Sequence, residues 1–195
     1  MNDSSIKRWL GYALRNKETL CRLLDFFRPE DLENGLLSLP EALFNDQLAP
    51  AILGAASPWV NSFHISFSNN MIFLDAAVNA KQAGPARAMV MLSVEDFTFR
   101  PDAHRMSFQY REDIRSLGNP AQAIMFNMVR GNNGFLARLA SMNSARFPGI
   151  TADGRQLTVD LDQLRPELVS GPLAHLSLRY VAAGDGYLKL QFAFS

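Results

Sequence analysis

One cysteine in 195 residues, Cys21, excludes an intramolecular disulfide and any all-thiolate metal site. Neither sign of charge is in excess: 19 Lys and Arg balance 19 Asp and Glu. A general nucleic-acid binder needs a basic surplus to displace counterions, so that class is set aside. No uncharged apolar run opens the chain, because Lys7, Arg8, Arg15, Lys17 and Arg22 interrupt it. Neither a secretory signal nor a spanning helix is read there, and the expected location is cytoplasmic, with membrane association as a variant of that reading. Gly-x-Ser-x-Gly, a Walker loop, His-Glu-x-x-His and a dinucleotide fingerprint are all missing. The expectation is therefore a protein that is not an enzyme and uses no cofactor and no metal.

What the chain does have is alternation. Phe63, Ile65 and Phe67 lie on one side of a two-residue beat and Ser62, His64 and Ser66 on the other. The beat predicts a strand from Val60 to Ser68, a turn at Asn69-Asn70, where Asn tolerates positive φ, and a returning strand from Met71 to Ala80. Residues Lys81 to Ala86 read as a loop. Arg87 to Phe99 is a long strand whose phase breaks: Val90, Leu92 and Val94 share a parity that Phe97 and Phe99 do not. A bulge at Glu95-Asp96 restores the apolar face. After Pro101-Asp102, His104 to Arg111 returns with Met106, Phe108 and Tyr110 in step. Ile150 to Leu161 reads as a hairpin, followed by a short helical turn from Asp162 to Val169. His175 to Ala182, Gly184-Asp185-Gly186 and Tyr187 to Phe194 form a last hairpin.

Helical periodicity appears in two places. From Ser4 to Arg28, Ile6, Trp9, Leu10, Ala13, Leu14, Leu20, Leu23, Leu24 and Phe27 line one face. Pro29 ends that helix. A short one follows from Glu30 to Leu37, and another from Pro40 to Leu53, which Pro50 must kink or end. The first helix is basic (Lys7, Arg8, Arg15, Lys17, Arg22, Arg28), and the stretch after it is acidic (Glu30, Asp31, Glu33, Glu41, Asp46). Either the two pair as solvated faces, or the basic helix lies on an anionic surface or a partner through Lys7, Arg8, Trp9, Arg15, Arg22 and Phe27. From Pro120 to Ala145, Ile124, Met128, Phe135, Leu139 and Met142 recur at helical spacing. The run Gly131-Asn132-Asn133-Gly134 breaks or bends the helix. No linker divides the chain. Residues 1–57 read as a helical segment packed on the same single domain as the sheet and central helix of 58–195.

His64, His104 and His175 are the thin catalytic material, with Asp160 or Glu95 as partners. No pair sits at ligand spacing, so three partly exposed sheet histidines are the simpler reading. Asp162 reads as the cap of the turn after it, Asp160 as solvated, and Cys21 as a small core residue. The stronger signal is 14 Phe and 8 Met. Methionine adapts to irregular shapes, so such an interior either wraps a variable apolar ligand or is softly filled.

The runs Phe63-His-Ile-Ser-Phe67 and Leu188-Lys-Leu-Gln-Phe192, the helix Ile124 to Met142 and the turn Gly184-Asp-Gly186 resemble the tubular lipid-binding proteins over Leu36 to Ser195. That resemblance implies a strongly curved sheet around a long helix, with an apolar groove between them. The expected fold is α+β: a curved antiparallel sheet packed on a long apolar helix, with amphipathic N-terminal helices. The expected function is binding a lipid or other long apolar molecule, peripheral to a membrane in one variant. The residues expected to bind it are Phe63, Ile65, Met89, Met91, Met106, Phe108, Ile124, Met128, Phe135 and Leu139. The alternative is an adaptor or assembly protein that docks a protein partner through its N-terminal helices.

Overall fold

A computed structural model of the protein describes residues 28–56, 59–79, 81–130, 134–142, 144–145, 147–164 and 176–194. The expected first helix lies outside them, and with it Cys21 and the contact residues Lys7, Arg8, Trp9, Arg15, Arg22 and Phe27; so does His175.

The elements in chain order are α1 (Pro29–Glu33), β1 (Leu36–Pro40), a π-helical segment Leu43–Leu48, α2 (Ala49–Ala56), β2 (Val60–Ser68), β3 (Met71–Asn79), a 3₁₀ turn Lys81–Ala83, β4 (Pro85–Arg100) and β5 (Ala103–Ser116). They continue with α3 (Pro120–Arg130), α4 (Phe135–Met142), β6 (Ile150–Asp153), β7 (Gln156–Asp160), α5 (Leu161–Leu164), β8 (Leu176–Gly184) and β9 (Tyr187–Phe194). All strand pairings are antiparallel. The architecture is a mostly antiparallel, open sheet with few helices, an α+β arrangement.

The turns follow from their residues. Asn69 and Asn70 adopt φ of 52° and 60° and close β2–β3, and Asp185 with Gly186, at 54° and 79°, closes β8–β9. The expected bulge is present: the β4–β5 register shifts between Val94 and Asp96. One extra residue there bends β4 and changes its phase. Ala86, Ala88, Val90, Leu92 and Val94 before it, and Phe97 and Phe99 after it, therefore end on the same face as Ile114, Tyr110, Phe108, Met106 and His104 of β5.

The bend also branches the sheet. One edge of β4 pairs with β3 from Asn79↔Pro85 to Ile72↔Leu92, and beyond the bulge the same edge meets β8 at Phe99↔Leu178. The sheet order is β1-β9-β8-β4-β5-β7-β6, and β2-β3 forms a second wing. The wings pack on each other through Ile65, Phe67 and Ala183, with Phe63, Tyr180 and Leu188 around them. Asn70 fastens this join: its Oδ1 accepts from the Tyr180 hydroxyl at 2.6 Å and from the Ala183 N–H at 3.1 Å.

Two expectations are corrected, and a third is narrowed. Leu36 and Leu37 are strand, not helix: Gly35, at φ 68°, ends α1, and β1 then pairs with β9. Of the two outcomes expected at Pro50, a kink or an end, the helix does not end but runs on to Ala56, with a π-helical irregularity just before the proline. The wider π register just ahead leaves room for the proline ring, which would clash with the carbonyl four residues back in an α-helix. That π segment also covers the free edge of β2: the Asn45 amide accepts from the Ile65 N–H and donates to its carbonyl, and Glu41 Oε1 accepts from the Phe67 N–H.

The second correction concerns the long helix. Between Pro120 and Met142 the structure has two short helices, α3 and α4, one of the two outcomes expected from the Gly131-Asn132-Asn133-Gly134 run; among the described residues no long apolar helix is present. Gly134, at φ 87°, precedes a fresh start in which the Glu112 carboxylate accepts the N–H groups of Phe135 at 2.6 Å and Leu136 at 3.0 Å. A strand carboxylate thus caps a helix, satisfying donors that have no intrahelical partner.

Candidate functional site

The bent β4–β5 hairpin sets the geometry of the inner face. At one end the short helices close it: Phe126 and Phe135, ring centroids 5.6 Å apart, pack on Val78, Ala83, Ala86, Ala88 and Ile114. The middle is Val90, Leu92, Phe108 and Tyr110, with Ile72, Leu74, Leu136, Ala152 and Leu157 around them. Burial pushes the Tyr110 phenol up, the nearby Glu112 charge adds to this, and the hydroxyl lies beside the Ala137 backbone outside hydrogen-bonding geometry. Beyond the bulge the short helix α5 lies against β5 at His104, and the rest of the face is partly covered. There Val94, Phe97, Met106, Val159 and Leu178 are large, apolar and only half-buried.

A buried polar group sits at this end of the face, against α5. His104 is on the inner parity opposite Phe99, which meets its ring edge-on with centroids 4.6 Å apart. Only 2 % of His104 is exposed. Its Nδ1 is 2.8 Å from Asp162 Oδ1, and its backbone N–H donates to Asp162 Oδ2 at 3.0 Å. The two hydrogen bonds from His104 hold the Asp162 carboxyl below the usual carboxylate range, although its side chain is 44 % exposed. An ionised Asp162 only accepts, so Nδ1 carries a proton, and in the neutral imidazole Nε2 is a bare acceptor. Nε2 is buried and has no partner among the described residues.

The nearest hydroxyl on the strand of His104, Ser107, is on the opposite parity and pairs with Thr158 at 3.4 Å. The sequence-expected partners are engaged elsewhere: Asp160 caps α5 by accepting from the N–H groups of Asp162 and Gln163, and Glu95 accepts from Gln109 and Gln156. Asp160 and Asp162 thus exchange the roles expected of them. His64 is on the outer face opposite Asp75, which Arg87 holds below the usual carboxylate range. Among the described residues no group of three His, Cys, Asp or Glu side chains is placed to hold a metal.

The structure separates the expected ligand-binding residues. Phe63, Ile65, Met106 and Phe108 share the inner face. Met89 and Met91 have the other parity, facing outward beside Asp75 and Phe73. Phe135 is buried in the helical end. Ile124 and Met128 are 59 % and 76 % exposed on the outer side of α3, with Leu117 and Met125 also exposed. The α3 backbone turns Phe126 toward the sheet, which sends 124, 125 and 128 to water. Leu139 is in α4, but its side chain is outside the description. No described helix is long and apolar enough to cross a membrane.

Sequence reading missed Asp162 as the partner of His104, and Glu112 as the cap of α4. Glu112 left a signal, being the one acid on the parity of Met106, Phe108, Tyr110 and Ile114. Asp162 left none, because its pairing depends on how α5 folds back on β5. Searches against family models, curated proteins and solved structures find no match to this chain.

Proposed function

We propose that the protein is a non-enzymatic binder of a long apolar molecule such as a lipid, held along the inner face beyond the bulge. The observation that carries this reading is the half-buried apolar row Val94, Phe97, Met106, Val159 and Leu178 on the inner face around and beyond the bulge. Apolar area left in water forgoes about 25 cal/mol per Å², so a chain-like apolar ligand laid along such a row gains by covering it. The test is native mass spectrometry of gently purified protein, alongside Met106→Lys, which puts a charge in the row. An apolar adduct in the wild type that disappears in the variant is the expected result. A clean apo mass from several preparations contradicts the reading.

A second reading, an assembly protein that docks a partner, is favoured by the exposed Leu117, Ile124, Met125 and Met128 beside and along α3. Replacing Ile124 and Met128 together by Glu separates the two: a lost protein partner with the adduct retained supports docking, and a lost adduct argues against it.

A further inference from the structure

We propose that the outer side of α3 docks the protein on an anionic lipid bilayer. Its apolar side chains enter the edge of the hydrocarbon, and arginines of the same segment meet the head groups. The proposal stands apart from the ligand reading, because this surface is at the helical end of the sheet and the half-buried row is around and beyond the bulge.

Six large apolar side chains are exposed among the described residues, and four of them are gathered here: Leu117, Ile124, Met125 and Met128. Positions 124, 125 and 128 share one stripe of the helix, opposite the fully buried Phe126. The stripe is firmly held. Asn119 and Gln122 cap α3 reciprocally: the Asn119 side chain accepts the Gln122 N–H at 2.9 Å, and the Gln122 side chain accepts the Asn119 N–H at 3.0 Å. Folding gains nothing from these apolar groups in water, and a gathered patch of them marks a contact surface.

Charge points to what covers it. The whole chain is neutral, yet from Ile114 to Ala152 it has no Asp or Glu and four arginines, Arg115, Arg130, Arg138 and Arg146. Arg130 is the last residue of α3, and Arg138 is exposed on α4. The carboxylates just before this stretch are engaged: Asp113 with Arg115 at 2.6 Å, and Glu112 with the first N–H groups of α4. The helical end thus presents an apolar stripe within a cationic segment.

That combination selects among occupants. A second copy would set the patch against itself in a two-fold contact and bring arginine against arginine. Protein partners are held mainly by Trp, Tyr or Arg anchors in fitted pockets, and the stripe is Leu, Ile and Met, which offer bulk without directional bonds. An anionic leaflet supplies both halves, acyl chains for the stripe and phosphates for the arginines.

Co-sedimentation of the full chain with vesicles tests this. The wild type should bind vesicles of phosphatidylcholine and phosphatidylserine, and not those of phosphatidylcholine alone. Ile124→Gln combined with Met128→Gln should weaken binding at least about tenfold, since two apolar side chains no longer leave water. Arg138→Glu should weaken it about tenfold by reversing one charge at the leaflet. All three positions are exposed, so the urea midpoint should hold. A readout that does not depend on affinity is Met128→Trp: with the wild-type signal of Trp9 and Trp59 subtracted, its indole should be quenched by lipids brominated on the acyl chains. No binding to the anionic vesicles, equal binding to the neutral ones, undiminished binding of the double variant, or no quenching of the Met128→Trp indole in vesicle-bound protein overturns the proposal. A protein complex that the double variant loses, with vesicles ignored by the wild type, gives the patch to that partner and equally overturns it.

Discussion

The two halves of the β4–β5 hairpin are made of different side chains, and the difference tracks what covers them. Before the bulge the inner face is rich in small residues, Ala76, Ala86 and Ala88, with Ala83 on the 3₁₀ turn and Ala137 on α4. Small side chains let a helix come close, and Phe126 and Phe135 fill the space they leave, a complementarity that dense packing rewards. After the bulge the residues are Phe97, Phe99, Met106 and Leu178, larger side chains of which Phe97, Met106 and Leu178 are half-buried. The lesson is that the short helices finish one end of the sheet and do not run along it. One end is closed by helices; the other is where we propose that a ligand binds.

The largest expected effect sharpens that contrast at its closed end. Phe126→Ala should cost about 3–5 kcal/mol in urea unfolding, because a fully buried ring leaves a cavity among side chains that cannot collapse. Met128→Ala on the same helix should move stability by less than about 0.5 kcal/mol. Equal losses would erase the distinction between the two faces of α3.

Next in size is the cap. Glu112→Ala should cost about 1–2 kcal/mol, since the N–H groups of Phe135 and Leu136 lose their acceptor. Hydrogen exchange should quicken in α4 before it quickens in β5.

Met106→Ala, beyond the bulge, should cost only about 1 kcal/mol, since a half-buried side chain forfeits roughly half of the transfer energy of a full one. Its expected mark is weaker binding of an apolar probe. A loss as large as that of Phe126→Ala would mean that this half is closed too.

The smallest effect is in acid. Asp162 is held below its ordinary carboxylate range, so its contribution is complete above the unfolded value near 3.8 and is lost as pH falls through the lower folded value. Asp162→Asn should therefore trail the wild type by a constant margin between pH 5 and pH 4, and the margin should narrow below that. A margin unchanged down to pH 2 would remove the His104–Asp162 hydrogen bonds from the account.

Most of the strand layout was legible because alternation and turn residues act locally. Val60–Ser68, the Asn69-Asn70 turn, the break in phase at Glu95-Asp96 and the final hairpin need only a few neighbouring residues to specify them. Two errors arose where a local signal was overruled. Leu36 and Leu37 are good helix formers, but Gly35 had already turned the chain toward β9. The apolar recurrence from Ile124 to Met142 spans a break, and the two segments bury different faces. Met89 and Met91 show a third limit: methionine content marked them, while their parity placed them outside. The site's polar corner was not readable at all, because His104 and Asp162 are 58 positions apart and meet only through the β5–β7 pairing and α5.

Photo-crosslinking with a diazirine-bearing long-chain hydrocarbon, mapped by peptide mass spectrometry, puts the central claim to the most direct test. The account predicts adducts on Phe97, Met106, Val159 and Leu178, the inner side of the sheet beyond its bend. Adducts concentrated on Phe73, Met89 and Met91 of the opposite side, or on Ile124 and Met128, would contradict it.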